Sequence, residues 1–526
     1  MTARHATVRL GAGVVRGRRL DGHLSFRGIP YAAAPVGDRR WRPPAPVEPW
    51  SGVRDATEPG NPPPQAAQAF DGTASLDEDC LTLDVTAPET PGTPTTPGTG
   101  RPVVVWLHGG GGTSGNASTH DRHRLAVTGD VVVVAPNARL GVLGCFGYPG
   151  LAGSGSFGLL DQQAALRWVR REIGRFGGDP ANVTLVGSSY GALLVAAHLV
   201  SPGSAGLFHR AVLQSPFGVL GPTPAHTLIP GVPALPTRWT PSAELERLGV
   251  ATAVEHGWVE RGGDPATALA RLRRVPVADL LPASAAFTRP AFGGPALPES
   301  PATALPGGRF HRVPVVVGTT SDEARFYVSL FADLAGDPVT AGDLPRLLAE
   351  AFGDAADEVA ARYPLDRFPT PGLAWARICT DRAWARPAWD LGRALAEHTD
   401  TWFYEFADPD APPPVPVPGF PAGAQHAAEL AYQFDLPGGP PLSPAQRELG
   451  DRVNRYWAAF AARGEPSGGE PSGGEPSGGE PSGGEPSGDG LPAWPRFEHV
   501  QSLAPDRIGG TDYAAGHHLD FWARMP

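Results

Sequence analysis

Directly after the apolar run Val183-Thr184-Leu185-Val186 stands Gly187-Ser188-Ser189-Tyr190-Gly191, and an Ala/Leu/Val-rich segment follows. A β-branched run that breaks into Gly-x-Ser-x-Gly and resumes as a helix former reads as strand, sharp turn, helix. Small residues around Ser189 let the backbone turn under strain and leave its hydroxyl exposed at the start of the helix. The pentapeptide is weak taken alone, because 68 of 526 residues are glycine and chance would supply about half such a pattern per chain. The strand before it, the helix after it and the partners downstream give it weight.

Further strand-type runs lie at Val103 to Leu107, Val131 to Ala135, Val313 to Val317 and Trp402 to Phe406. Longer helical segments separate them. The clearest is Asp161 to Phe176, with Leu166, Val169, Ile173 and Phe176 at helical spacing and Gly177-Gly178 as a stop. Strands alternating with helices predict an α/β fold, a large mostly parallel central sheet flanked by helices. Ala/Arg/Leu-rich stretches around 243–281 and 343–398 read as helical insertions forming a lid. Residues 464–488 are five consecutive copies of Gly-Glu-Pro-Ser-Gly. Their low hydrophobicity, with Pro and Gly in every copy, predicts a disordered loop inside a single domain spanning 1–526.

Composition removes several function classes. With 43 basic and 54 acidic residues the net charge is −11 and is spread along the chain, which gives no basis for nucleic-acid binding. All 43 basic residues are arginine. Without lysine there can be no Schiff-base catalysis, no Gly-Lys-Ser/Thr phosphate loop and no Ser-x-x-Lys acyl-transfer site. Cys80, Cys145 and Cys379 are too few and too scattered for a disulfide framework or a zinc site and read as buried free thiols. No apolar core of signal-peptide type follows the start, and no run is long enough for a membrane span, so a cytoplasmic protein is the expectation.

The chemistry can be assembled around Ser189. Upstream, the strand Val103 to Leu107 runs into His108-Gly109-Gly110-Gly111-Gly112, whose bare backbone N–H groups can approach a developing oxyanion. Downstream, Val313 to Val317 leads to Gly318-Thr319-Thr320-Ser321-Asp322-Glu323. Either carboxylate stands where the carboxyl end of a strand would present it. Farther on, His426 in Gly423-Ala424-Gln425-His426 completes the order serine, acid, histidine.

These stretches carry a resemblance over nearly the whole length. FRGIPYAAAPVGDRRWRPP at 26–44, EDCLTLDV at 78–85, VVVWLHGGGG at 103–112 and NARLGVLG at 137–144 belong to it. So do DQQAALRWVRREIGRFGGDPANVTLVGSSYGA at 161–192, SPGSAGLFHRAVLQS at 201–215, GTTSDEA at 318–324 and GAQHAAELAYQF at 423–434. Together they resemble the type-B carboxylesterases, the esterase/lipase group of α/β-hydrolases that includes the cholinesterases. The resemblance implies Ser189 as nucleophile, His426 as general base and acid, and Glu323 as the carboxylate orienting it, with Asp322 as the fallback. It also implies the backbone N–H groups of Gly110, Gly111 and Tyr190 as oxyanion donors. The expected activity is hydrolysis of a small-molecule carboxylic ester without cofactor or metal; oligomeric state stays open.

The departures from the family pattern are local. Ser188 and Tyr190 flank the nucleophile where the family usually has Glu and Ala. Gly112 replaces an aromatic residue, Ala324 replaces a glycine, and Pro216 follows Gln214-Ser215 in place of another. They predict a reshaped acyl pocket, and loss of an acidic residue at 188 disfavours a choline ester. Two alternatives remain: an acyltransferase or a cyclising or eliminating enzyme using the same triad, and a non-catalytic scaffold of cholinesterase-like fold. The pairs His120/His123 and His517/His518 are expected in surface or capping roles, and Trp494, Phe521 and Trp522 in the core.

Overall fold

The computed structural model describes residues 4–68, 73–89, 100–221, 239–262, 264–436, 438–467 and 490–525. The chain divides into two compact units, 1–212 with 239–313 and 213–238 with 314–526.

In the first unit the strands are β1 (Arg4–Arg9), β2 (Val14–Leu20), β3 (His23–Pro30), β4 (Val53–Asp55), β5 (Thr82–Pro88), β6 (Arg101–Leu107), β7 (Val132–Pro136) and β8 (Gly178–Ser188). The order is β1-β2-β3-β5-β7-β6-β8, with β4 beside β2. The first five are joined antiparallel. β6 runs parallel to both β7 and β8. This is where polarity matters, since β6 and β8 lead into the glycine run and Ser189. Val103–Leu107, all of β7 and Val183–Ser188 are buried without interruption, the pattern of strands covered on both faces. The expected helix at 161–176 begins earlier, as Phe157–Glu172. Its last turn tightens into a 3₁₀ segment, Ile173–Phe176, ended by Gly177 at φ 85°.

Several motifs of the resemblance act as braces here. Arg40 grips Glu78 through Nε at 2.7 Å and Nη2 at 2.5 Å. Arg139 forks onto Asp161 at 2.7 and 2.6 Å, and Arg122 meets Asp84 at 3.0 Å. The pairs at Asp161 and Asp84 are buried and that at Glu78 partly so; each joins distant stretches of chain, and the bidentate geometry at Glu78 and Asp161 fixes orientation as well as contact.

The division between the units falls within β9 (Arg210–Gln214). The second unit holds β10 (Val315–Thr320), β11 (Thr401–Phe406), β12 (Val500–Leu503) and β13 (Ile508–Gly510). β10, β11 and β12 are parallel neighbours, with β13 antiparallel at the edge. Helical segments fill the expected insertions: Ser242–Glu255 and Pro265–Leu272 in the first unit, Leu344–Phe352, Pro371–Thr380 and Arg386–Ala396 in the second. Among the described residues no helix is long and apolar enough to cross a membrane. Cys80, Cys145 and Cys379 are buried and free, and Trp494, Phe521 and Trp522 are core residues.

The helix Pro444–Arg463 opens on a Ser443/Gln446 capping box and closes on Gly464 at φ 87°, the first residue of the repeat. Residues 468–489, which carry the expected disordered loop apart from its first four positions, lie outside the described residues. On its near side Ser467 is buried and its hydroxyl accepts from the Trp494 N–H at 2.9 Å, so the chain re-enters the core close to where it left.

One expectation needs correction. His517 stands at the C-cap of the short helix Tyr513–Gly516, and His518 at the N-cap of Leu519–Trp522, but His517 is not a surface residue. It is 1% exposed, with Nδ1 2.6 Å from Asp381 and Nε2 2.7 Å from Glu405. Asp381 also accepts from Arg377 and from the Tyr363 hydroxyl. His120 is buried as well, whereas His123 pairs with Asp121 at a helix start. The physical reason is charge: two carboxylates taken out of water need cationic partners, and an imidazole between them supplies one. Burial alone would lower the His517 pKa, but the charge and hydrogen bond of Asp381 and the bond to Glu405 raise it.

Folding therefore takes up a proton at this site between the unfolded imidazole value, about 6.5, and the higher folded one. The stabilisation is full below the unfolded value and is lost as pH rises through the folded value. His517→Gln is expected to cost about 3–5 kcal/mol. The gap in apparent melting temperature between wild type and variant should narrow as pH rises. A gap that widens with pH would contradict a protonated His517.

Candidate active site

Ser189 stands between β8 and the helix Tyr190–Val200 with φ 57° and ψ −118°, a backbone region that side-chain-bearing residues occupy only under strain. Crowding enforces the turn. A Cβ on Gly187 would lie 2.3 Å from the Gly191 carbonyl carbon, and one on Gly191 would lie 2.1 Å from the Leu107 oxygen. Ser189 itself is 8% exposed and faces the positive end of the helix it precedes.

The glycine run at the end of β6 lies alongside. A Cβ placed on Gly109 would be 3.4 Å from that of Ser189. Gly110, Gly111 and Gly112 have φ values of 99°, 63° and 83°, and the Thr113 and Ser114 N–H groups both donate to the Gly110 oxygen at 3.1 Å, closing the turn. Among the described residues the N–H groups of Gly110, Gly111 and Tyr190 have no protein acceptor. The turn rests on Gln65, which is buried and bonded to both the N–H and the carbonyl of Gly115. Sequence reasoning missed Gln65, since nothing local marks it.

Tyr190 explains Gly112. The phenol is 4% exposed, and a Cβ on Gly112 would meet its Cε2 at 2.8 Å and the Thr288 oxygen at 2.9 Å. The ring thus lies against the glycine turn, and its hydroxyl donates to the Cys145 thiol. Gly112→Ala is expected to lower kcat about tenfold or more with little change in KM, by displacing the free N–H groups of Gly110 and Gly111. Adding Tyr190→Ala should restore part of that loss. No recovery in the double variant would assign the effect to the positive φ and the Thr288 carbonyl, and not to the phenol ring.

In the second unit Glu323 and His426 come together. Glu323 is fully buried. Its Oε1 accepts from the Thr320 N–H at 2.9 Å, and its Oε2 is hydrogen-bonded to Nδ1 of His426. The His426 N–H also donates to the Glu323 carbonyl at 3.2 Å. Asp322 is turned elsewhere, to Arg325 at 2.9 Å and the Ala424 N–H at 3.3 Å. With Nδ1 engaged as donor, Nε2 is the basic nitrogen, and it is buried with no hydrogen-bond partner among the described residues. Rings of Tyr327, Trp384 and Phe326 surround the imidazole at 5.5, 5.9 and 6.0 Å.

A second carboxyl lies in this neighbourhood. Glu429 is buried with neither oxygen hydrogen-bonded among the described residues. Burial first and the Glu323 charge second push its pKa up to about 8. The spacing of one residue in a quoted motif held no signal for this.

A sequence profile described as the carboxylesterase family matches residues 4–506. The para-nitrobenzyl esterase of Bacillus subtilis (strain 168) is 32% identical over 489 residues, 88% of this chain and 91% of that protein. The cocaine esterase of Oryctolagus cuniculus is 32% identical over 538 residues, 95% of this chain and 90% of that protein. The fumonisin B1 esterase of Sphingopyxis macrogoltabida is 33% identical over 484 residues, covering 84% and 79%. A solved PNB esterase aligns at a TM-score of 0.74 with 28% identity, covering 98% of this chain and 99% of its own.

Proposed function

Since this chain belongs to the carboxylesterase family, with an α/β-hydrolase fold, and is a carboxylic ester hydrolase, we propose that Ser189, His426 and Glu323 form its catalytic triad. The observation carrying the proposal is the His426–Glu323 couple, which commits Nδ1 and leaves Nε2 to take a proton. His426 removes the Ser189 proton as Oγ attacks the ester carbonyl. The N–H groups of Gly110, Gly111 and Tyr190 form the oxyanion hole and hold the developing negative charge. His426 then protonates the departing alcohol, and water, deprotonated by the same nitrogen, releases the acid. These steps need no cofactor or metal. We further propose that residues 1–526 work as one catalytic domain.

The substrate we propose is a neutral small-molecule ester with a compact acyl group and an aryl or benzyl alcohol. The name of the para-nitrobenzyl esterase supports the alcohol. The Tyr190 ring, filling space beside the glycine turn, supports the compact acyl part, and uncharged Ser188 offers nothing to a choline cation. Three buried free thiols fit a reducing compartment, and we place the activity in the cytoplasm. A p-nitrophenyl ester series tests the reading: kcat/KM should be highest for the shortest acyl chains. A profile rising with chain length would refute the compact pocket. Failure to turn over any ester, in protein still labelled by a fluorophosphonate, would favour acyl transfer to another acceptor.

A further inference from the structure

A cleft of about 380 Å³ in the second unit is lined by Arg325, Arg362, Arg367, Arg377 and His518. In a chain of net charge −11 this is a marked local concentration of positive charge. Asp322 is the one carboxylate among the described lining residues, and it is occupied by Arg325 at 2.9 Å. Arg377 is held from beneath by Asp381 at 2.9 Å. Arg362 lies over the Phe521 ring at 5.5 Å, and among the described residues neither Arg362 nor Arg367 is ion-paired.

The cleft is pre-organised. Tyr363 forms part of its wall, its hydroxyl donating to Asp381 and accepting from Trp522 Nε1, both at 2.8 Å. His518 stands edge-on to Tyr363 at 5.3 Å with φ 52°, a strained conformation for a side-chain-bearing residue. Burial first pushes the His518 pKa below the ordinary imidazole range; Asp381 opposes this, and the Arg362, Arg377 and His517 charges add to the depression. Phe368, Pro364 and Pro369 add flat apolar wall. Guanidinium forks match phosphate oxygens bidentately, and flat walls suit a ring.

We propose that this cleft binds a dianion carrying an aromatic ring, of the aryl phosphate class, and that occupancy is felt at the His426 turn. The link runs through Asp322. Its N–H donates to the Ala424 carbonyl at 3.0 Å, and its carboxylate accepts from the Ala424 N–H, two residues before His426. Thr380, also in the lining, accepts from the Ala324 N–H at 3.0 Å, the residue after Glu323. A ligand phosphate competing for Arg325 loosens the Asp322 pair and with it the backbone that presents the acid–base couple.

Calorimetry on the full chain with phenyl phosphate, inorganic phosphate and benzyl alcohol tests this, using wild type and an Arg362→Gln/Arg367→Gln variant of unchanged melting temperature. Phenyl phosphate should bind wild type, weaken with salt, and lose about tenfold or more in affinity in the variant. Absence of binding, an unaffected variant or equally tight benzyl alcohol would each overturn the site. Inorganic phosphate binding as tightly would overturn the aromatic part. The variant should retain wild-type turnover of p-nitrophenyl acetate, and phenyl phosphate should alter turnover in wild type alone. Equal inhibition of both proteins would place the ligand at Ser189 instead, and binding without any change in turnover would overturn the coupling.

Discussion

Ser189→Ala is expected to lower kcat about a millionfold while the protein stays folded, the scale seen when a triad serine is lost. The size of the effect follows from the roles acting as a unit: without Oγ, the proton acceptor and the oxyanion donors have no covalent intermediate to serve. Folding should be spared, because the elbow is shaped by the crowding at Gly187 and Gly191 and not by the serine side chain. Relieving a hydroxyl at φ 57° does not relieve the backbone, so melting temperature should move little. Residual turnover within about a hundredfold of wild type, in protein free of wild-type contamination, would remove Ser189 from the chemistry, since triad serines cost far more.

Glu323→Gln is expected to cost about ten-thousandfold in kcat, the loss associated with replacing a triad carboxylate by its amide. The carboxylate has both oxygens engaged as acceptors, one from the Thr320 N–H and one from His426. An amide has a single oxygen. If the Thr320 N–H keeps it, His426 Nδ1 faces an NH₂ group and must accept, which drives the imidazole toward the tautomer with its proton on Nε2, where the base must be; if His426 keeps it, the Thr320 N–H faces the NH₂ group and the turn that holds residue 323 is disturbed. Asp322→Asn serves as the control. Its carboxylate faces Arg325 and Ala424, so turnover should fall by far less than in Glu323→Gln. Equal losses at 322 and 323 would return the assignment of the acid to doubt.

What could be read from the chain alone follows from how local each signal is. Ser189 and the glycine run are marked by the stretches immediately around them, an apolar strand before each and small residues at the turn, because a strained turn demands small neighbours in sequence. The choice of Glu323 over Asp322 needed the resemblance, since both carboxylates follow the same strand and adjacent residues differ only in which way the turn aims them. The His517 network left no trace: its partners Asp381 and Glu405 are 136 and 112 residues away, and no periodicity connects a C-terminal loop to a helix and a strand that far off. Nor did alternating strands and helices predict the antiparallel run β1-β2-β3-β5-β7, because short covered strands look alike whichever way they point. The cleft lined by four arginines is legible only once residues 325, 362, 367 and 377 share a wall.

The burial of Cys80, Cys145 and Cys379 bears on how this enzyme can be counted. Burial pushes the Cys145 thiol up to about 12 and the other two higher still, so none offers a thiolate near neutrality. The chain also has no lysine side chain. An activated ester therefore meets no amine side chain and no ionised thiol to acylate in competition with the elbow. The stoichiometry of an initial burst of released alcohol, read against intact mass, becomes a direct census of competent molecules in a preparation.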